Sequence, residues 1–191
     1  MKYFIDTEFI EDGKTIDLLS IGVVCEDGRE FYRECNSTDP NYADQWVVNN
    51  VFPSMKYLKW QPRRVHLHAS GGETVHYPAW TWYDDKFCQS SAVIAGDLKE
   101  FIGDDTPTFI GWYSAYDWVA ICQLYGRMLD IPKEWPKYCV DLKPIAKMYK
   151  ITLAQGDSKH NALEDARWVR AAHTAIKDVL WRSYKETELF I

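Results

Sequence analysis

The stretch Lys2-Tyr-Phe-Ile-Asp6-Thr-Glu8-Phe-Ile10 reads as a buried β-strand interrupted by two carboxylates. Side chains alternate across a strand, so Asp6 and Glu8 share one face, about 6.6 Å apart along it. On burial each acid loses hydration and raises the pKa of the other, a cost that a cation must offset. The pair predicts a metal-dependent active site whose remaining ligands come from elsewhere in the chain.

Beyond this strand, Glu11-Asp-Gly13 and Glu26-Asp-Gly28 are hairpin signals. Met1–Ile10, Ile16–Cys25 and Arg29–Glu34 are therefore expected as three antiparallel strands. Periodicity predicts helices over Tyr42–Val51, Ser91–Gly103, Ala115–Tyr125, Asp141–Tyr149 and Ala162–Val179, with a fourth strand at Thr106–Gly111. Antiparallel strands followed by alternating helices and strands imply an α/β fold, a mixed sheet flanked by helices. From about Pro53 to Phe87 no period is evident, and Pro, Gly71-Gly72 and three His interrupt the run. That stretch reads as an irregular insertion in a single domain spanning 1–191.

Composition narrows the function classes. The 191 residues are 47% hydrophobic and 26% charged, enough for one sizeable core. Five Cys show no C-x-x-C spacing and read as free thiols of a reducing cytoplasm. No leader pattern and no run of about 20 apolar residues is present, so no membrane partner is expected. A net charge of −6 argues against a broad, sequence-blind basic groove. It does not exclude a nuclease, whose site acids carry much of that charge and whose bound divalent cations reverse it locally.

Two further acids interrupt apolar helix stripes. Asp117 has Ala120 and Ile121 three and four positions on, and Asp165 has Trp168 and Val169 in the same places. Alone, each reads as a surface acid beside a blurred stripe; with Asp6 and Glu8 they read as a set. His160-Asn161-Ala-Leu-Glu164-Asp165 opens the last helix, with Asn161 as N-cap and Glu164 at N3 of a capping-box variant. Inside the helix His160 would point about 140° away from Asp165. From a loop ahead of the cap its imidazole can fold back to the acid, where a group titrating near neutrality suits a general base.

Four converging carboxylates would repel by about 4 kcal/mol per close pair at an effective dielectric near 20. Hard oxygen donors select Mg²⁺ or Mn²⁺ over Zn²⁺. Two such ions can clamp the attacking and leaving oxygens of a phosphodiester while His removes a proton from water. That chemistry is phosphodiester hydrolysis.

Asp6-Thr-Glu8-Phe, the helix containing Asp117, and His160-Asn-Ala-Leu-Glu-Asp165 resemble the three motifs of the DEDDh 3′–5′ exonucleases, which have the RNase H-like fold. Within that family the opening strand and Ser114-Ala-Tyr-Asp-Trp-Val-Ala-Ile-Cys-Gln-Leu-Tyr-Gly126 are similar to a mycobacterial-type exoribonuclease group. The likeness covers about 1–35 and 90–180. It implies that Asp6 bridges two ions, Glu8 and Asp165 complete the tighter site, Asp117 supports the second ion partly through water, and His160 activates the attacking water. It also implies substrate contacts from Thr7, Phe9, Ile10 and Tyr116, with Phe9 and Ile10 as a wedge under the terminal base. Trp112-Tyr113-Ser114 departs from the family's His-Asn before the middle helix. Relatives often work as homodimers, so a second copy is an expectation carried by the resemblance.

The expected substrate is a single strand, RNA ahead of DNA, because the nearest likeness is to an exoribonuclease. The insertion offers Trp60, Tyr77, Trp80, Trp82 and Tyr83 beside Lys56, Lys59, Arg63, Arg64, His66 and His68, which suits base stacking and equally suits a local mini-core or a dimer contact. Rival readings are a DNA exonuclease of repair or proofreading and a nucleic-acid-binding module without chemistry. A D-x-D phosphatase fits worse, since Glu holds the second acidic position.

Overall fold

Strand β1 (Lys2–Glu11) lies inside a six-stranded sheet, with a strand of opposite sense on one side and one of the same sense on the other. The computed structural model describes residues 1–66, 74–83, 85–156 and 160–188. As expected from the two Asp-Gly turns, β2 (Ile16–Cys25) and β3 (Glu30–Cys35) continue β1 as an antiparallel meander. The short strand β6 (Cys88–Gln89) pairs parallel to β3. On the far side β7 (Thr108–Gly111) runs parallel to β1, and β8 (Val140–Asp141) parallel to β7. The order β6-β3-β2-β1-β7-β8 is a mixed α/β sheet compatible with the RNase H-like fold.

Helices cover both faces. α2 (Ser91–Ile102) and α3 (Ala115–Gln123) bury Ile94, Leu98 and Ile121 against Tyr3, Ile5, Ile21 and Val23. α4 (Leu142–Met148) and α5 (Ala162–Glu188) bury Leu142, Ala146, Ala166 and Val169 against Phe4, Val24 and Ile110. Each large side chain buried this way stabilises the fold by about 1.5–3 kcal/mol. Alternation thus divides β1 cleanly: Tyr3 and Ile5 face α2 and α3, while Phe4 faces α4 and α5. Asp6 and Glu8 fall on the α5 side.

The 53–87 segment corrects the sequence reading. Instead of irregular chain, β4 (Leu58–His66) and β5 (Thr74–Trp82) form a nine-rung antiparallel hairpin. Pro62 stands opposite Pro78. A two-stranded ribbon has two open edges, so prolines that would break an inner strand are tolerated. Its base rests on a third cluster, where Leu58, Trp80 and Trp82 meet Ile10, Leu19, Phe52 and Val47 of α1 (Gln45–Asn50). The buried Glu34 carboxylate accepts the Lys56 and Tyr57 amides at 2.7 and 3.0 Å, tying the hairpin's entrance to β3. His68 and Gly71-Gly72 lie outside the described residues, as do the side chains of Arg63, Arg64, His66 and Tyr77. Helix α5 also runs nine residues beyond the expected end at Val179. Among the described residues no helix is long and apolar enough to cross a membrane.

Candidate active site

The last strand-to-strand contacts on β1 create the site. β7 pairs with β1 only through Phe4 and ends at Gly111, so the Thr7 amide on that side has no strand partner. Asp117, in the first turn of α3, fills the gap. Its Oδ1 accepts the Thr7 amide at 2.8 Å and the Thr7 hydroxyl at 2.6 Å. A Cβ on Gly111 would fall 2.5 Å from Ser114 Cβ, so the turn that delivers α3 needs glycine there. On the β2 side the ladder slips between Glu8 and Phe9, leaving Leu19 as an extra residue beside the acids. Bulges of this kind re-aim side chains next to sites.

Asp165 arrives from α5. Asp6 stands opposite Gly22, and a Cβ on Gly22 would lie 2.2 Å from the Ala162 carbonyl oxygen. The absent side chain lets the first turn of α5 sit directly on the sheet. Asn161 caps that turn as expected, accepting the Glu164 amide at 3.2 Å, while the Glu164 carboxylate itself is engaged by Arg167. One ligand atom from each of Asp6, Glu8 and Asp165 lies within 4.8 Å of the others. Asp117 stands outside this trio, held by Thr7.

His160 precedes the cap, as the sequence predicts, in a left-handed backbone conformation with φ +67°. Its amide, not its ring, touches the acid trio: N–H donates to Asp165 Oδ2 at 2.8 Å. The imidazole packs edge-on against Trp46 at 4.9 Å between centroids. Ser54 Oγ donates to the His160 carbonyl, and Asn161 Nδ2 donates back to the Ser54 carbonyl at 3.4 Å.

Thr7, Phe9, Asp117, His160 and the trio line one cleft of about 280 Å³ with Trp46, Trp112, Tyr113, Gln155 and Trp168. Tyr116 is half exposed and meets the Phe9 ring edge-on at 5.8 Å. Ile10, the other residue expected beside Phe9, stands apart from the cleft lining. It is buried in the cluster with Val47, Val51 and Phe52 and does not line the cleft, because α1 packs over that end of β1. Gln155, Ser54 and Trp46 went unnoticed in the sequence. Gln155 Nε2 donates to Asp165 Oδ1 at 2.5 Å, an interaction no local spacing signals. A larger cavity, about 580 Å³, lies between α4 and α5, but its lining is apolar apart from His173 and Lys177 and suits no phosphodiester.

The electrostatics are those of acids lacking a counter-charge. Burial, then the charges of Asp117, Glu8 and Asp165, push the Asp6 carboxyl well above the ordinary range. Burial, then Asp165 and Asp117, push Glu8 up to about 8. Burial lifts Asp117 to about 6 even though both Thr7 bonds pull it down. Asp165 is raised by burial against the pull of Gln155 and the His160 amide. No Lys or Arg stands among the described residues lining the cleft. Hard oxygen donors grouped without a cationic side chain fit divalent cations.

Comparison with known proteins places the chain in a family. The family model for the 3′-5′ exoribonuclease Rv2179c-like domain matches residues 1–177. The chain is also similar to the 3′-5′ exoribonucleases Rv2179c and MT2234.1 of two Mycobacterium tuberculosis strains. Each is 39% identical over 148 residues, which is 76% of this chain and 73% of the relative. A sheet with acids gathered at the end of β1, matched by a family model over almost its whole length, belongs to the Rv2179c-like 3′-5′ exoribonuclease domain family.

Proposed function

We propose that this protein is a single-domain DEDDh exonuclease, with a hairpin insertion, that removes nucleotides from the 3′ end of single-stranded RNA. The observation that carries the reading is the oxygen trio of Asp6, Glu8 and Asp165 beside Asp117, with no Lys or Arg among the described residues lining the cleft. Family membership supports the substrate class and the direction of attack. Asp6, Glu8 and Asp165 would hold one Mg²⁺ or Mn²⁺, and Asp6 and Asp117 would serve a second. Bound divalent ions supply positive charge for the attacking and leaving oxygens of the phosphodiester.

The chain's own groups do the rest. The His160 imidazole takes a proton from water, whose oxygen forms a bond to phosphorus as the P–O3′ bond breaks. A nucleoside 5′-monophosphate leaves, and O3′ takes a proton from solvent, so the shortened strand ends in a 3′-hydroxyl. Phe9, backed by Tyr116, lies against the terminal base. Five cysteines outside any disulfide suit a reducing, cytoplasmic setting. A second copy helping to hold the strand is the finer reading that the resemblance brings.

Incubation of 5′-labelled RNA with the protein and Mg²⁺ or Mn²⁺ tests the reading. A ladder shortening from the 3′ end is expected, and Asp6→Asn is expected to abolish it. Full activity in Asp6→Asn, or a strong preference for a matched DNA strand, would overturn it.

A further inference from the structure

Charge is unevenly spread along this chain. Between Lys56 and Tyr83 the sequence has four Lys or Arg, three His and one Glu, within a molecule of net charge −6. Strands β4 and β5 make up most of that span. The acidic cleft repels phosphates wherever its cations are absent, whereas the excess of Lys and Arg in this span complements a polyanion.

The hairpin's base also presents a fixed aromatic surface. Trp80 is held in place: its ring packs on Phe52 at 4.7 Å, and its backbone N–H and C=O pair with the Asn41 amide at 3.0 and 3.1 Å. Trp60 stands opposite Trp80 in the ladder, its ring edge-on at 5.4 Å, yet is 56% exposed. A tryptophan serving only a mini-core would be covered, as Leu58 is. Trp60 and Trp80, with Gln45 and Val48 of α1, line a cavity of about 440 Å³.

Helix α1 is the wall between this cavity and the catalytic cleft. Gln45 and Val48 face the cavity, whereas Trp46 lines the cleft beside His160. A helix is about 10 Å across with its side chains, a distance an unstacked single strand covers in a few nucleotides.

We infer that Trp60 and the cavity beside it form a second nucleic-acid subsite, which stacks a base of the single strand a few nucleotides 5′ of the scissile bond. This rests on the proposed exonuclease reading for what occupies the cleft. Stacking on an exposed tryptophan accepts any base, and the Lys and Arg excess of the 56–83 sequence offsets the charge of the strand's phosphates. The subsite makes the enzyme favour strands long enough to span α1 over dinucleotides.

The test measures binding and turnover separately. Fluorescence anisotropy of a 5′-labelled RNA of about ten nucleotides, with the full chain in chelator at low salt, compares the parent, Trp60→Ala and Trp60→Phe. Trp60→Ala is expected to weaken binding about tenfold, and Trp60→Phe to restore much of it. Dinucleotide hydrolysis in Mn²⁺ is expected to be unchanged in both variants. Equal binding by Trp60→Ala and the parent would overturn the subsite, as would an equal loss of dinucleotide hydrolysis. So would a change in sedimentation that tracks the loss of binding, because Trp60 would then be a contact between protein copies. If the parent shortened no RNA while the anisotropy contrast persisted, the exonuclease reading would fall and the subsite would stand.

Discussion

The Ser54 hydroxyl donates to the main-chain carbonyl of His160, joining the turn before the hairpin to the residue ahead of the α5 cap across more than a hundred positions of sequence. Asn161 returns a bond to the Ser54 carbonyl. With the Trp46 ring against the imidazole, these contacts fix where His160 stands. One such hydrogen bond contributes about 1 kcal/mol, which converts to a several-fold change in rate when it orients a reacting group. Ser54→Ala is expected to lower kcat about 5- to 10-fold with KM little changed, and Ser54→Thr to keep most of the activity. Steady-state kinetics on a labelled RNA checks this.

His160→Ala separates chemistry from metal binding. The backbone amide, not the ring, bonds Asp165, so the substitution leaves that carboxylate in place. A lost general base costs about 10²- to 10⁴-fold in kcat. Calorimetric titration with Mn²⁺ is expected to give the parent's affinity, and a large drop would assign His160 to the ligand set instead.

The acids also set a pH dependence. Glu8 titrates at about 8 rather than 4.5, and Asp117 at about 6 rather than 3.8. A carboxyl whose folded pKa is raised binds its proton more tightly when folded. Its stabilisation is complete below the unfolded value and is lost as pH rises through the folded one. His173, which burial holds below its ordinary value, acts in the opposite sense near neutrality. The melting temperature of chelator-treated protein is therefore expected to fall between about pH 5 and 8. Glu8→Gln is expected to remove much of that slope, and Mn²⁺ to restore stability at the alkaline end. Scanning calorimetry of parent and variant decides; a slope identical in both would contradict it.

Gly22→Ala tests how α5 is seated. The new Cβ would lie 2.2 Å from the Ala162 carbonyl, and backbone cannot yield as a flexible side chain can. Overpacking of this kind costs about 1–3 kcal/mol. Lifting the first turn of α5 also withdraws Asp165 from Asp6 and Glu8. Lower stability in denaturant and weaker Mn²⁺ binding are expected together, and unchanged metal affinity would show that the seat is structural only.

Much of this was legible in the sequence because it is local. Two acids in an apolar strand, two Asp-Gly turns and an Asn161 cap are signals within a few residues, and each lies where it was expected. Glu8 and Asp165 needed only their own stripes to be noticed. The hairpin was hidden because its prolines and tryptophans obey no single period. The cover over Ile10 was hidden for a similar reason: the segment that packs on it, Val47 to Leu58, lies about forty residues away. Ser54 and Gln155 are polar residues outside the long elements, and only tertiary closure brings Ser54 to His160 and Gln155 to Asp165. Gly22 has no side chain to notice, although its neighbour across the ladder is Asp6.

The left-handed backbone at His160 sets fitness against function. A residue with a Cβ is disfavoured there by about 1–2 kcal/mol, whereas glycine adopts the same conformation freely. His160→Gly would thus relax the chain while discarding the imidazole. Where the proposed proton transfer is not under selection, drift toward glycine is expected at this position.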